Sequence, residues 1–144
     1  MTDVAFHLHV GDRAVYACRL LRKAYLKGAR LLVLTDSEEL DRLDRALWLV
    51  APGEFVPHAR ESDSLWVLRH SPILMATQEI DGFTADVLVN LSAVPPSLPG
   101  RFERVIEIVG NGTDDRQTAR ERWKYYKAAG FEPHAHDLAQ RPAH

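Results

Sequence analysis

Short, unbroken apolar runs recur along this chain, and segments of helical periodicity separate most of them. The clearest runs are LLVL at 31–34, DVLVNL at 86–91 and RVIEIV at 104–109. Runs of this kind are typical of strands that are covered on both faces, as in a parallel sheet. Because right-handed crossovers carry helices over such a sheet, the alternation predicts an α/β fold with a mostly parallel sheet and helices on both faces.

Three further segments carry strand signals. Alternating apolar residues at 4–10 predict an opening strand. LWVL at 65–68 and ILMAT at 73–77 each predict a short strand, of which the second is favoured. The segment APGEFVPH at 51–58 excludes regular helix, because two prolines and a glycine interrupt it.

Helical periodicity appears in three places. Apolar residues recur at three- and four-residue spacing over 13–27, and Gly28 follows where a left-handed cap belongs. A second helix begins with Asp36 or Ser37 as its N-cap and presents a leucine face. The third runs from about 114 to 129, and a glycine ends it.

The length of 144 residues fits a single domain, which we place at residues 1–131. Apolar residues at 46% and charged residues at 26% are ordinary for a globular protein and exclude a disordered chain. Residues 132–144 show no apolar periodicity, so we expect a flexible C-terminal tail there.

The single cysteine, Cys18, excludes an internal disulfide framework and fits a reducing cytosol. It lies on the apolar face of the first helix, which favours a buried, inert thiol over a nucleophile. We expect no signal peptide, and no stretch reaches the roughly 20 apolar residues of a membrane span. These patterns predict a cytoplasmic protein without a membrane partner, and the net charge of −2 argues against nucleic-acid binding over the whole surface.

Signals for catalysis and cofactors are weak. GNGTDD at 110–115 lies where a phosphate loop belongs, but Asp115 replaces the third glycine and favours a plain turn with a capping aspartate. The pairs HLH at 7–9 and HAHD at 134–137 have metal-ligand types, and strand alternation places His7 and His9 on one face. Without clustered carboxylates, solvated or hydrogen-bonded histidines are favoured over a metal site. We expect no cofactor, no metal and no catalytic site.

The segment ARERWKYYKAAGF at 119–131 concentrates cations and aromatic residues in the last helix. At 100° per residue, one stripe of about 100° holds four cations and one indole. These residues are Arg116, Arg120, Trp123, Lys124 and Lys127. Such a stripe is either a solvated face or a docking surface for an extended acidic peptide with an apolar end, or for a nucleic-acid strand.

Two motifs in this order and at this separation, LDRALWLVAPGEFVPH at 43–58 and ARERWKYYKAAGF at 119–131, resemble the chi subunit of bacterial DNA polymerase III holoenzyme. The opening strand and helix, KGARLLVLTDSEE and ADVLVNLS fit the same pattern, so the resemblance spans nearly the whole chain. It implies a Rossmann-like α/β fold and a non-catalytic accessory subunit of the clamp-loader complex. Such proteins bind the acidic, Pro-Phe-ended tail of single-stranded DNA-binding protein and, on a separate surface, the psi subunit; DNA is contacted only indirectly.

The resemblance also assigns site residues. The residues that match the tail-binding site are Val109, Arg116, Arg120, Trp123 and Lys124. The family often has tyrosine where Trp123 stands, so the stacking face is kept while an indole N–H replaces the hydroxyl. The residues that match the psi or clamp-loader docking surface are Trp48, Phe55 and Val56. From their pattern alone, core positions are favoured for Trp48 and Phe55 over an exposed interface.

Two other functions remain open at this point. The cationic stripe suits a direct single-stranded DNA-binding module, in which the aromatic residues stack on bases. The GNG turn at 110–112 leaves a small nucleotide-dependent enzyme as the other alternative.

Overall fold

The computed structural model describes residues 2–49, 56–80 and 83–140. Within them, seven parallel strands form one sheet in the order β3-β4-β2-β5-β6-β1-β7. The strands are β1 (Asp3–Val10), β2 (Leu31–Leu34), β3 (Ala59–Arg60), β4 (Ile73–Ala76), β5 (Val87–Asn90), β6 (Arg104–Gly110) and β7 (His134–Asp137). The helices are α1 (Arg13–Leu26), α2 (Ser37–Leu49), α3 (Leu65–His70) and α4 (Thr113–Ala128). Single 3-10 turns span Pro99–Arg101 and Leu138–Gln140.

Helices cover both faces of this sheet. Helices α1 and α2 pack on one face, around residues such as Leu21, Leu43 and Val33. Helices α3 and α4 pack on the other face, where Tyr126 and Phe6 are fully buried. The predicted α/β, Rossmann-like arrangement is therefore confirmed. No helix of the described ranges is both long and apolar enough to cross a membrane.

Local chemistry sets the helix ends much as the sequence indicates. The Asp12 carboxylate accepts from the Val15 amide at 3.2 Å, and Asp36 accepts from Glu39 at 2.8 Å, so Asp36 caps α2. Gly28 and Gly130 follow α1 and α4 with φ of 88° and 94°. Glycine adopts this left-handed region without steric cost, which explains why α1 and α4 end where they do.

The predicted strand at 65–68 is wrong, because these residues form α3. Ser64 is extended, and its hydroxyl accepts from the Val67 amide at 3.4 Å, which caps the helix. Leu65 and Trp66 are exposed, so the apolar run does not mark a buried strand. The favoured strand at 73–77 is confirmed as β4.

The expected loose tail does not hold for residues 134–137, which form β7 and pair with β1. Ala5 faces His134 and Leu8 faces Asp137 in the register. The strand lies at the sheet edge, and most of its side chains are exposed. This exposure explains why the segment shows no apolar alternation.

The strand β1 is irregular near its end, and this separates its two histidines. The register with β6 shifts between His7 and Val10, and His9 has φ of 61°. His7 contacts Tyr16 of α1 on one face of the sheet. His9 lies against α4, on the other face. The prediction that both side chains share one face is therefore wrong.

A buried charged cluster joins α4 to the sheet. The carboxylate of Glu107, in the middle of β6, accepts from Arg122 Nε at 2.8 Å and from the Tyr126 hydroxyl at 2.6 Å. The Asn90 amide of β5 donates to the same carboxylate at 3.0 Å. Burial raises the pKa of Glu107, while Arg122, Tyr126 and Asn90 oppose that shift. Because Arg122 is 4% exposed, the pair fixes which face of α4 meets the sheet.

We predict that Arg122→Ala lowers the free energy of unfolding by about 3–5 kcal/mol, because it leaves the Glu107 carboxylate buried without its counter-charge. Denaturant unfolding measures this. The matched control is Arg120→Ala on the same helix, which is exposed and should change stability by less than about 0.5 kcal/mol. Equal effects of the two substitutions would contradict the anchoring role of Arg122.

A second prediction concerns His7, whose pKa burial lowers to about 4, with nearby His136 contributing. The unfolded chain then binds this proton more readily than the folded one. Stability is complete above about pH 6.5 and falls towards pH 4, by at most about 1.4 kcal/mol per pH unit. Unfolding of the His7→Gln variant across this range should show a shallower decline. An unchanged decline would contradict the assignment.

Candidate functional site

A cavity of about 460 Å³ lies between α4 and the ends of β1 and β6. We call it the α4 cavity. All five residues predicted for the tail site line it: Val109, Arg116, Arg120, Trp123 and Lys124. The other lining residues are Phe6, Leu8, His9 and Ala119. The structure thus brings the predicted residues together in one concave site, whereas Lys127 of the same stripe does not line it.

The rim of the α4 cavity is cationic. Arg116, Arg120 and Lys124 follow one another at four-residue spacing and are exposed. Among the described residues, none of the three makes an ion pair. A cleft that carries unneutralised charge of one sign attracts ligands of the opposite sign. The rim therefore suits an anionic partner.

The floor of the cavity is apolar. Trp123 is half-buried, and its ring packs on that of Phe6 at 5.0 Å between centroids and 55° between planes. Phe6 and Val109 are buried beneath it. An apolar floor below a cationic rim fits a ligand that is anionic along its length and apolar at one end.

Sequence reasoning missed four lining residues, for different reasons. The alternation of β1 carries a signal for Phe6 and Leu8, and Ala119 stands four residues before Trp123 on α4. For His9, the sequence predicts only a place beside His7 in the pair HLH. Only the irregularity of β1 brings it to the cavity, and the sequence gives no sign of that irregularity.

The residues of the predicted docking surface are placed differently from one another. Trp48 is 56% exposed near the end of α2, and its ring meets His58 edge-on at 5.5 Å. The expectation from pattern alone, a core tryptophan, is therefore wrong. Val56 is 5% exposed and packs into the core, so little of it is available to a partner. Phe55 lies outside the described residues.

The turn at 110–112 packs against its own helix. A Cβ on Gly110 would lie 2.5 Å from Asp115 Oδ2, the end of a flexible side chain that would then have to shift, so Gly110 packs closely against the first turn of α4. Gly112 is the N-cap of α4, and Asp115 lies in its first turn; the predicted capping aspartate is therefore wrong. Close packing accounts for Gly110 without a bound phosphate.

Groups with nucleophilic or metal-binding chemistry are not assembled in the described parts of the chain. Cys18 is buried, and burial raises the pKa of its thiol to about 12, so the thiolate is scarce at neutral pH. The ranges that the structure describes hold no group of three or more His, Cys, Asp or Glu side chains that could bind a metal ion.

Comparison with known proteins identifies the family of this chain. The family model described as DNA polymerase III chi subunit, HolC, matches residues 1–134. The chain belongs to this family. The chi-family match includes every residue of the α4 cavity, and it ends at the first residue of β7.

Chi subunits of three bacteria are similar to this protein. The DNA polymerase III subunit chi of Pseudomonas aeruginosa is 30% identical over 143 residues, which cover 96% of this chain and 98% of the relative. The subunit chi of Escherichia coli is 29% identical, over 91% of this chain and 95% of the relative. That of Haemophilus influenzae is 27% identical over 80% of each. The resemblance drawn from the two motifs is confirmed.

Proposed function

We propose that this chi-family protein is a non-catalytic accessory subunit that connects single-stranded DNA-binding protein to the clamp loader during replication. The observation that supports this most directly is the convergence of Val109, Arg116, Arg120, Trp123 and Lys124 on the α4 cavity. The cationic rim receives the acidic tail of single-stranded DNA-binding protein. The apolar floor receives the phenylalanine at its end.

The contributions of charge and of apolar burial to the binding free energy determine how tightly such a site binds. Each exposed ion pair along the rim contributes only about 0.2–1 kcal/mol. Burial of one phenylalanine adds about 1.5–3 kcal/mol. The tail therefore binds in roughly the micromolar range at best, and salt weakens it by screening the rim. The ring supplies a large part of the affinity, while the charges steer the tail to the cavity.

The second contact is with the psi subunit, or another clamp-loader component, at the surface around Trp48. An exposed tryptophan beside the exposed Leu49 is the kind of aromatic anchor that interfaces use. Tethering within one assembly raises the effective concentration of a weakly held tail, so micromolar contacts suffice.

Direct binding of single-stranded DNA is the competing function for the same cavity. Stacking of bases requires an open aromatic face. Trp123 is half-buried and already packs on Phe6, and among the described residues the other rings that line the cavity are the buried Phe6 and the imidazole of His9. The structure therefore favours one apolar chain end over a row of stacked bases.

We predict that Arg120→Ala weakens binding of a tail peptide by roughly 1.5-fold to fivefold, and that the loss shrinks as salt rises, because the substitution removes one rim charge. Fluorescence anisotropy with an acidic peptide ending in Pro-Phe, titrated at several salt concentrations, measures this. The matched control is Lys127→Ala, which removes a cation of the same helix that does not line the cavity.

Two results would contradict the tail-binding proposal. One is an affinity that neither salt nor Arg120→Ala changes. The other is binding of an oligonucleotide, but not of the peptide, in the α4 cavity; this would make the protein a DNA-binding module instead.

For the second surface, we predict that Trp48→Ala weakens association with the psi subunit by about 30-fold, since truncation of an interface anchor costs on the order of 2 kcal/mol. Size-exclusion chromatography and calorimetry measure this association. The control is Trp66→Ala, which removes another exposed indole, on α3. Retained psi binding by the Trp48 variant would place the docking surface elsewhere.

A further inference from the structure

His9 occupies an unusual position beside the α4 cavity. Its backbone is left-handed, with φ of 61°, at the irregularity of β1, and its side chain lines the cavity. Non-glycine residues adopt this region seldom, and histidine, asparagine and aspartate are the ones enriched there. The ring is held from the outside of the cavity by Asp137 of β7, whose Oδ1 lies 2.6 Å from Nδ1.

The hydrogen bond to Asp137 fixes which nitrogen carries the proton. The bond from His9 holds the pKa of Asp137 below its usual value, so at neutral pH this side chain is a carboxylate and only accepts. Nδ1 must therefore donate. In the neutral ring, Nε2 then carries no hydrogen, and it has no hydrogen-bond partner among the described residues. Only the protonated ring presents an N–H from Nε2.

We propose that His9 is a specificity-determining residue of the α4 cavity: its protonated ring, positioned by Asp137, donates from Nε2 to the terminal carboxylate of the bound tail. The ring thereby distinguishes a chain end from an internal acidic stretch. This inference rests on the proposed function and adds a hydrogen-bond donor, His9, for the terminal carboxylate of the ligand. It also predicts that binding takes up a proton.

Charged side chains approach His9 from two elements, β7 and α4. On β7, Asp137 favours the protonated ring, while on α4 the cations Arg116, Arg120 and Lys124 oppose it. β6 contributes only Val109 to the cavity. On the other side of β1, the rings of His7 and His136 lie 5.1 Å apart and away from the cavity. An incoming carboxylate offsets the α4 cations and shifts this balance towards the protonated ring.

The test compares two peptides of one acidic sequence ending in Pro-Phe, one with a free terminal carboxylate and one amidated. Their affinities for the full chain are measured by anisotropy at constant salt, at pH 6 and pH 8. We expect the free-acid peptide to bind at least about threefold more tightly at pH 6 than at pH 8, because a lower pH favours the protonated ring that donates from Nε2. The amidated peptide should show little change.

The decisive variant is His9→Asn, since asparagine tolerates the left-handed backbone and keeps the fold, but presents no ring nitrogen to the ligand. It should reduce the preference for the free acid by about fivefold and abolish its dependence on pH. The matched control is His134→Asn, which alters another histidine paired with an aspartate, Asp3, outside the cavity. It should leave both properties unchanged.

Asp137→Asn provides a second test of the positioning role. The amide of asparagine can accept from Nδ1–H or donate to an unprotonated Nδ1, so it permits both neutral tautomers of His9. One of these tautomers carries a hydrogen on Nε2 without protonation of the ring. The preference for the free acid should therefore depend less on pH. The proposal is overturned if His9→Asn keeps both the preference and its pH dependence. Failure of the unaltered chain to bind either peptide would overturn the proposed function as well, and is thus a different result.

Discussion

The buried pair of Glu107 and Arg122 is the interaction on which the surface of this protein depends. A carboxylate in the middle of a covered strand requires partners, and α4 supplies two of them from positions four residues apart, Arg122 and Tyr126. Once these side chains face the sheet, the rotation of α4 is fixed. Arg116, Trp123 and Lys124 then lie about 100° to 200° around the helix from Arg122, which places them at its flank and outer side.

The two proposed contact surfaces are separated by the sheet itself. Trp48 is on α2, which packs on one face, and the α4 cavity lies on the other. The parallel sheet lies between them. A partner at one surface therefore does not obstruct a partner at the other, which is the geometric requirement for a protein that connects two others.

Patterns of burial made most of the fold predictable. Continuous apolar runs identify β2, β5 and β6, because strands that are covered on both faces have no polar side to display. The same rule fails for elements that are partly exposed to solvent. The exposed edge strand β7 carries polar residues, and the apolar run of α3 is partly on the surface, so hydrophobicity misassigned both.

The candidate site was predictable in part. The stripe of α4 followed from helical spacing, although spacing does not say which cation of the segment turns inward. Glu107, the one acidic residue within RVIEIV, is a signal in the sequence that this buried strand needs a cationic partner. The position of His9 had no such signal, because it depends on a backbone irregularity and on Asp137, 128 residues later in the chain. Trp48 shows the opposite case, an apolar residue that pattern places in the core and the structure exposes.

The pairing of β7 with β1 has a consequence for any shortened form of this protein. Hydrogen bonds from the final strand cover one side of β1 from Ala5 to Leu8, immediately next to the floor of the α4 cavity. Cleavage just before residue 134 would leave that row of backbone groups without its partner strand and would remove Asp137, which holds the ring of His9. The last segment therefore supports the wall of the cavity.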